Sequence, residues 1–202
     1  MFSKYGVKGT IYMALCLIRT KLFYSKARII RFPFDIRGKR YIDLGEGLTT
    51  GKGCRLEAFP KDKGDKVVMR FGKGCQINDY CHISAMEEVV IEDGVLLAGK
   101  VYISDNSHGY YKLAQGGGID NSLPTVRPID REYYTSPIRI GKNTWIAENV
   151  VVMPGVSIGE GCVIGANSVV TKSIDRYSMA VGVPAKVIKR YNEKSKCWES
   201  VG

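Results

Sequence analysis

Histidine is scarce in this chain, with two in 202 residues, His82 and His108. The six cysteines form no CxxC pair, so zinc or dithiol redox chemistry lacks its usual donor spacing and no metal is expected. A bilayer-spanning helix needs about 20 apolar residues. The uncharged run near the amino terminus, Ile11 to Ile18, has only eight. No small-x-small cleavage pattern follows it, since Arg19, Thr20 and Lys21 come next, which speaks against a secretion signal. A reducing cytoplasm is the expected compartment. Acid is almost missing from residues 1–40, where Asp35 stands against ten basic side chains and the balance is +9. The formal total is +10, so residues 41–202 hold only +1. That split excludes a basic body built for nucleic acid and points to an anionic surface near the amino terminus, such as the inner face of a membrane. The apolar fraction of 45% indicates a packed chain rather than disorder.

What is present is a period of six. Ile140, Ile146, Val152, Ile158, Ile164 and Val170 recur at that step, which matches neither a strand of period 2 nor a helix of period 3.6. Four places after each come Thr144, Val150, Val156, Cys162, Ser168 and Ile174, mostly small or β-branched. One place after come Gly141, Ala147, Met153, Gly159, Gly165 and Thr171. The step returns upstream at Leu44, Thr50 and Leu56, at Phe71, Ile77 and Ile83, and, after a two-residue insertion, at Ile91, Leu97 and Ile103. Such repeats stack short β-segments and corners around one continuous core. The expected fold is an all-β solenoid, a parallel β-helix of about five three-sided coils standing about 20–25 Å tall. Cys54, Cys75, Cys81 and Cys162 fall on the small inward position and read as packing residues.

Residues 9–31 read as an amphipathic helix in a basic arm, 1–36. It is expected to cover the open end of the first coil and to touch anionic lipid headgroups. The repeat spans 37–190 and is interrupted by a loop over 109–136 that carries Gly116-Gly117-Gly118 and the pairs Tyr110/Tyr111 and Tyr133/Tyr134. A loop of that length is a functional feature, and its tyrosines suit a sugar ring or a neighbouring subunit. Residues 191–202 read as a tail. Counting hexads places His82 and His108 at different corners, with His108 where the solenoid opens into the loop.

From about residue 37 to 191 the chain resembles the hexapeptide-repeat acyltransferases, in the branch that O-acetylates sugars of O-antigen, capsule, maltose or galactosides. The residues that carry the resemblance are "IGKNTWIAENVVVMPGVSIGEGCVIGANSVVTKSI", "AVGVPAKVIKR" and the upstream "YISDNSHG". The resemblance implies a left-handed β-helix, a homotrimer with active sites between subunits, acetyl-CoA as donor and a saccharide acceptor. It makes His108 the general base, with Asp105 fixing the imidazole or binding the acceptor. Asn106 stands where the motif often has a second histidine, and with Asn78 it is a candidate acceptor ligand. Trp145, Ala147, Glu148 and Ala166 match positions along the pantetheine arm. Thr171, Lys172, Lys186 and Lys189 match positions near the phosphates, where ammonium groups offset negative charge. The basic arm suits a lipid-linked acceptor.

The alternatives are N-acetylation of an amino sugar, often nucleotide-linked, and a non-enzymatic assembly module, since a fold does not establish chemistry. A γ-type carbonic anhydrase needs three histidines for zinc, and ice binding needs a flat threonine array. The chain offers neither.

Overall fold

An apolar residue that returns every six positions marks the inward point of one wall after another. The structure, a computed structural model, describes residues 2–61, 64–111 and 122–201. Parallel strands build three walls. The first takes Ile42–Asp43, Met69–Phe71, Val89–Ile91, Ile138–Ile140 and Ser157–Ile158. The second takes Thr49–Thr50, Gln76–Ile77, Leu96–Leu97, Trp145–Ile146, Val163–Ile164 and Ser178–Gly182. The third takes Phe34–Arg37, Cys54–Ala58, His82–Ala85, Tyr102–Ser104, Val151–Val152 and Val169–Val170. The chain visits the walls in turn, so each circuit lays one strand on each.

The leading residues fill the interior, and Ile77, Ile83, Ile91, Leu97, Ile103, Ile140 and Ile146 have no exposed surface. The small inward position handles its polar atoms locally. Thr144 Oγ1 donates to the Gly159 carbonyl at 2.9 Å and Ser168 Oγ to that of Gly165 at 2.7 Å. Cys54, Cys75, Cys81 and Cys162 are buried, and each thiol points at a carbonyl of the following coil. All six cysteines are free. Most corners fall three residues after a leading residue and take left-handed backbone, with φ of 55° at Asn143 and 81° at Gly155. Asparagine and glycine tolerate that region. Gly141 is required for a different reason, because a Cβ there would stand 2.5 Å from the Glu160 nitrogen of the next coil.

Three segments differ from expectation. The amino-terminal helix runs Phe2–Phe23, with non-helical backbone at Gly6, rather than over 9–31. Beyond it the chain is committed elsewhere: Ile29 forms a parallel bridge to Thr49. The side of the helix facing the body is not its apolar one. Cys16 and Thr20 are buried, Tyr12 Oη donates to the Phe32 carbonyl at 2.7 Å, and the Ile30 N–H donates to Thr20 Oγ1 at 2.8 Å. Val7, Ile11, Leu15, Ile18 and Leu22, spaced at helical steps, are each more than half exposed. At the other end, residues 191–201 do not trail off as a tail. Ala185–Asn192 and Cys197–Ser200 fold back as antiparallel strands on the second wall. The loop begins earlier than residue 109, because Asn106–His108 pair antiparallel with Tyr133–Thr135. Residues 112–121, with Gly116-Gly117-Gly118, lie outside the described residues.

Candidate active site

Side chains alternate across a strand, so the third wall presents two outward rows. Register places Asp35, Arg55, His82, Tyr102, Val151 and Val169 in one row, and Arg37, Glu57, Ser84 and Ser104 in the other. The floor is therefore ionic on the early coils, hydroxylic and aromatic in the middle, and aliphatic on the late ones. Over it stands the ribbon of Asn106–His108 and Tyr133–Thr135. Between ribbon and wall lies a cavity of about 610 Å³ lined by Glu57, His82, Ser84, Tyr102, Asn106 and His108 among others. A second hollow of about 300 Å³, lined by Gly109, Tyr110, Tyr134 and Thr171, shares Ser107, Met153 and Pro154 with the first.

His108 lines the larger hollow, and its chain neighbours Ser107 and Gly109 line the second. The His108 Nδ1 lies 3.0 Å from the Pro128 carbonyl. A carbonyl can only accept, so Nδ1 carries the proton and Nε2 of the neutral ring keeps its lone pair. The ring leans on Tyr133, with centroids 4.7 Å apart, and Tyr111 Oη donates to the His108 carbonyl at 2.6 Å. Among the described residues Nε2 has no protein partner.

His82 also faces the larger cavity, which corrects the placement of the two histidines at separate corners. Counting hexads from Ile103 assumes that the chain continues around the prism. Instead it turns away at Asn106, and His108 stays above the wall on which His82 lies. His82 Nε2 is 2.8 Å from Glu57 Oε2, while Glu57 Oε1 accepts from Arg55 at 2.5 Å and Arg37 at 2.9 Å. Burial pushes the Glu57 carboxyl up, but the hydrogen bonds from His82 and Arg55 outweigh it and hold the group below its usual range. The sequence signal for this pair was the outward phase of both residues on adjacent coils.

Asp105 does not orient the imidazole. It is fully buried, and its carboxylate accepts the backbone N–H groups of Met86, Glu87 and Glu88, each at 2.8 Å, with Asn106 Nδ2 at 3.0 Å. These three amides lie in the segment between Ile83 and Ile91 that carries the two-residue insertion, where the chain leaves the ladder. Asp105 thus fastens the insertion to the point where the chain departs. Asn106 lines the cavity and donates to Ser84 Oγ at 3.2 Å. Asn78 does not line it; its side chain accepts from Gln76 Nε2 at 3.0 Å.

The remaining candidates lie elsewhere on the prism. Trp145, nearly half exposed, is on the second wall. Ala147, Glu148 and Ala166 follow second-wall strands and stack at the corner between the second and third walls, on the ladder that carries Asn78 two coils earlier. Thr171 and Lys172 follow Val169–Val170 at the next corner, and Lys186 and Lys189 sit on the antiparallel strand 185–192. Among the described residues no three His, Cys, Asp or Glu side chains converge on a metal-sized point.

Residues 137–172 match the family described as bacterial transferase hexapeptide (six repeats). An Escherichia coli K12 protein whose name assigns it lipopolysaccharide-biosynthesis O-acetyl transfer is 42% identical over 98% of this chain and 96% of its own length. The solved galactoside acetyltransferase in complex with coenzyme A is 30% identical, with a TM-score of 0.51 over 74% of this chain and 68% of that one. An N-acyltransferase from Bacillus cereus, solved with a dTDP-amino sugar and coenzyme A, superposes with a TM-score of 0.67 over 88% of this chain and 91% of its own, at 21% identity, which speaks for the fold alone. Three parallel walls, a six-residue period and these matches define a left-handed β-helix, and the chain belongs to the hexapeptide-repeat acetyltransferases.

Proposed function

We propose that the protein transfers an acetyl group from acetyl-CoA to a hydroxyl of a surface-polysaccharide sugar, with His108 as the general base. The observation that carries this is the His108 ring on the larger hollow, its Nδ1–H donated to the Pro128 carbonyl and its Nε2 lone pair left for an incoming proton. Nε2 takes the acceptor hydroxyl's proton as that oxygen bonds to the thioester carbonyl carbon. When the tetrahedral intermediate collapses the C–S bond breaks, and the same proton passes to the leaving thiolate. Asp105 contributes by holding the frame from which the ribbon springs.

The corner ladder of Asn78, Ala147, Glu148 and Ala166 lines neither hollow beside His108, so a second prism that brings its own ladder to that site would complete it. That supports a homotrimer with the donor in the groove between chains. In this reading Trp145, Ala147, Glu148 and Ala166 line the pantetheine arm, and Thr171, Lys172, Lys186 and Lys189 face the phosphates. Thiol release from acetyl-CoA with a panel of sugars and their p-nitrophenyl glycosides tests the assignment. His108→Ala should lower kcat by about 10²–10⁴-fold, and release that ignores both the sugar and the substitution would overturn it.

The same reading places the enzyme at an anionic membrane surface, where a lipid-linked acceptor is presented. The outward stripe of Val7, Ile11, Leu15, Ile18 and Leu22 supports this. So do Lys8, Arg19 and Lys21, on a helix that carries no acid. A second copy is a poor occupant, since two such helices would set cation against cation. No helix among the described residues is long and apolar enough to cross a membrane. Leu15→Asp with Ile18→Asp should abolish sedimentation with phosphatidylglycerol vesicles while sparing activity on a soluble sugar. If these substitutions change the oligomeric state and not vesicle binding, the stripe is a subunit contact instead.

A further inference from the structure

Two histidines face one cavity, and they are held in opposite ways. Both rings line the larger hollow and neither lines the second. His108 gives Nδ1–H to a carbonyl, and His82 gives Nε2–H to a carboxylate. An ionised carboxylate can only accept, so Nε2 carries the proton and Nδ1 of the neutral ring is the acceptor. Among the described residues Nδ1 has no protein partner. The Tyr102 ring packs against the imidazole edge-on, with centroids 5.2 Å apart.

Resting on the sugar-acetylation reading, we propose that His82 is an acceptor-binding residue. Its Nδ1 accepts a hydrogen bond from a sugar hydroxyl other than the one that reacts, and Glu57 is the positioning residue that holds the ring. Glu57 is a holder rather than a ligand, because Arg37, Arg55 and His82 already occupy its oxygens. The gradient along the third wall agrees. Ser84, Ser104 and the His82–Glu57 pair make its early end polar, as a polyol requires, while Met153 and Pro154, shared by both hollows, mark the late end toward the donor. His108 lines the same cavity as both ends. The ligand class is a pyranose with at least one free hydroxyl beyond the acetylated one.

The test uses the full chain, acetyl-CoA and whichever p-nitrophenyl glycoside of galactose, glucose or maltose is acetylated fastest. His82→Ala should raise the KM for that sugar about tenfold, with kcat within about threefold and the KM for acetyl-CoA unmoved, the pattern of lost uniform binding. His82→Gln, which keeps an acceptor atom, should recover part of the loss, and Glu57→Gln should fall between wild type and His82→Ala. One monodeoxy acceptor should cost the wild type the same factor and cost His82→Ala nothing further. A lower Tm with an unchanged acceptor KM makes the pair structural and overturns the proposal. A fall in kcat at constant KM makes His82 an acid or base and also overturns it. If no sugar is acetylated at all, the functional reading fails and takes this inference with it.

Discussion

The coils from Ile138 to Val170 and the breaks in the repeat, at residues 86–88 and at Asp105–His108 with Tyr133–Thr135, are built from the same chain chemistry and held by different means. In the coils each strand is satisfied by the strand one circuit away, as where the Trp145 N–H meets the Cys162 carbonyl and that of Ala147 meets Ile164. No side chain is special, because the neighbour above repeats the one below. At the breaks the ladder is interrupted, and single side chains take its place. One carboxylate, Asp105, serves three amides, one carbonyl fixes His108, and one ribbon of three residue pairs carries the cavity roof. The regular part is stabilised by burial shared over many residues. The irregular part depends on a few directed bonds and carries the chemistry.

That contrast can be broken from either side. Ile146 has no exposed surface, and Ile146→Ala should cost about 2–5 kcal/mol of stability through lost burial and the cavity left behind. Activity per folded molecule should hardly change, because the wall keeps its register; urea denaturation alongside steady-state kinetics checks both. Asp105→Ala should cost less stability, about 1.5–3 kcal/mol, because water can reach part of the freed insertion. Its effect on rate should be the larger one, since residues 86–88 and the departure at Asn106 lose their common anchor. Equal effects of the two substitutions on kcat per folded molecule would mean that the irregular stretch is not separately held.

The walls were legible because a period of six leaves each residue a single orientation. Ile140 to Val170 need no tertiary information to be placed, and the cysteines at the small inward position follow from the same phase. The amino-terminal helix differs from the reading in its length, and the side it turns inward was not legible. Apolar spacing marks Ile11, Leu15 and Ile18 as one face without saying what that face meets, whereas hydrogen bonds from Tyr12 to Phe32 and between Thr20 and Ile30 decide the rotation. Such bonds join residues 10 or 20 apart and leave no trace in a hydropathy pattern. Asp105 failed for a related reason. The motif sets a carboxylate three places from the imidazole, but residues 86–88 offer it three backbone amides, a stronger claim than one ring N–H. His82 escaped notice because counting hexads past Ile103 presumes a chain that never leaves the prism.

The smallest expected effect concerns the ionic end of the third wall, where the coils' regularity and the cavity's directed bonds meet. Glu57 titrates below its usual range because the hydrogen bonds from His82 and Arg55 favour the carboxylate more than burial opposes it. A carboxyl depressed in the folded state adds stability above its unfolded value of about 4.3 and loses it as pH falls through the folded one. Glu57→Gln should therefore destabilise by about 1 kcal/mol near neutrality, and the gap to wild type should close in acid. Denaturation series at pH 7 and at pH 3 to 4 measure that gap. A gap that stays constant with pH would mean that Glu57 acts by shape and not by charge, and the ionic end of the wall would then be an ordinary part of it.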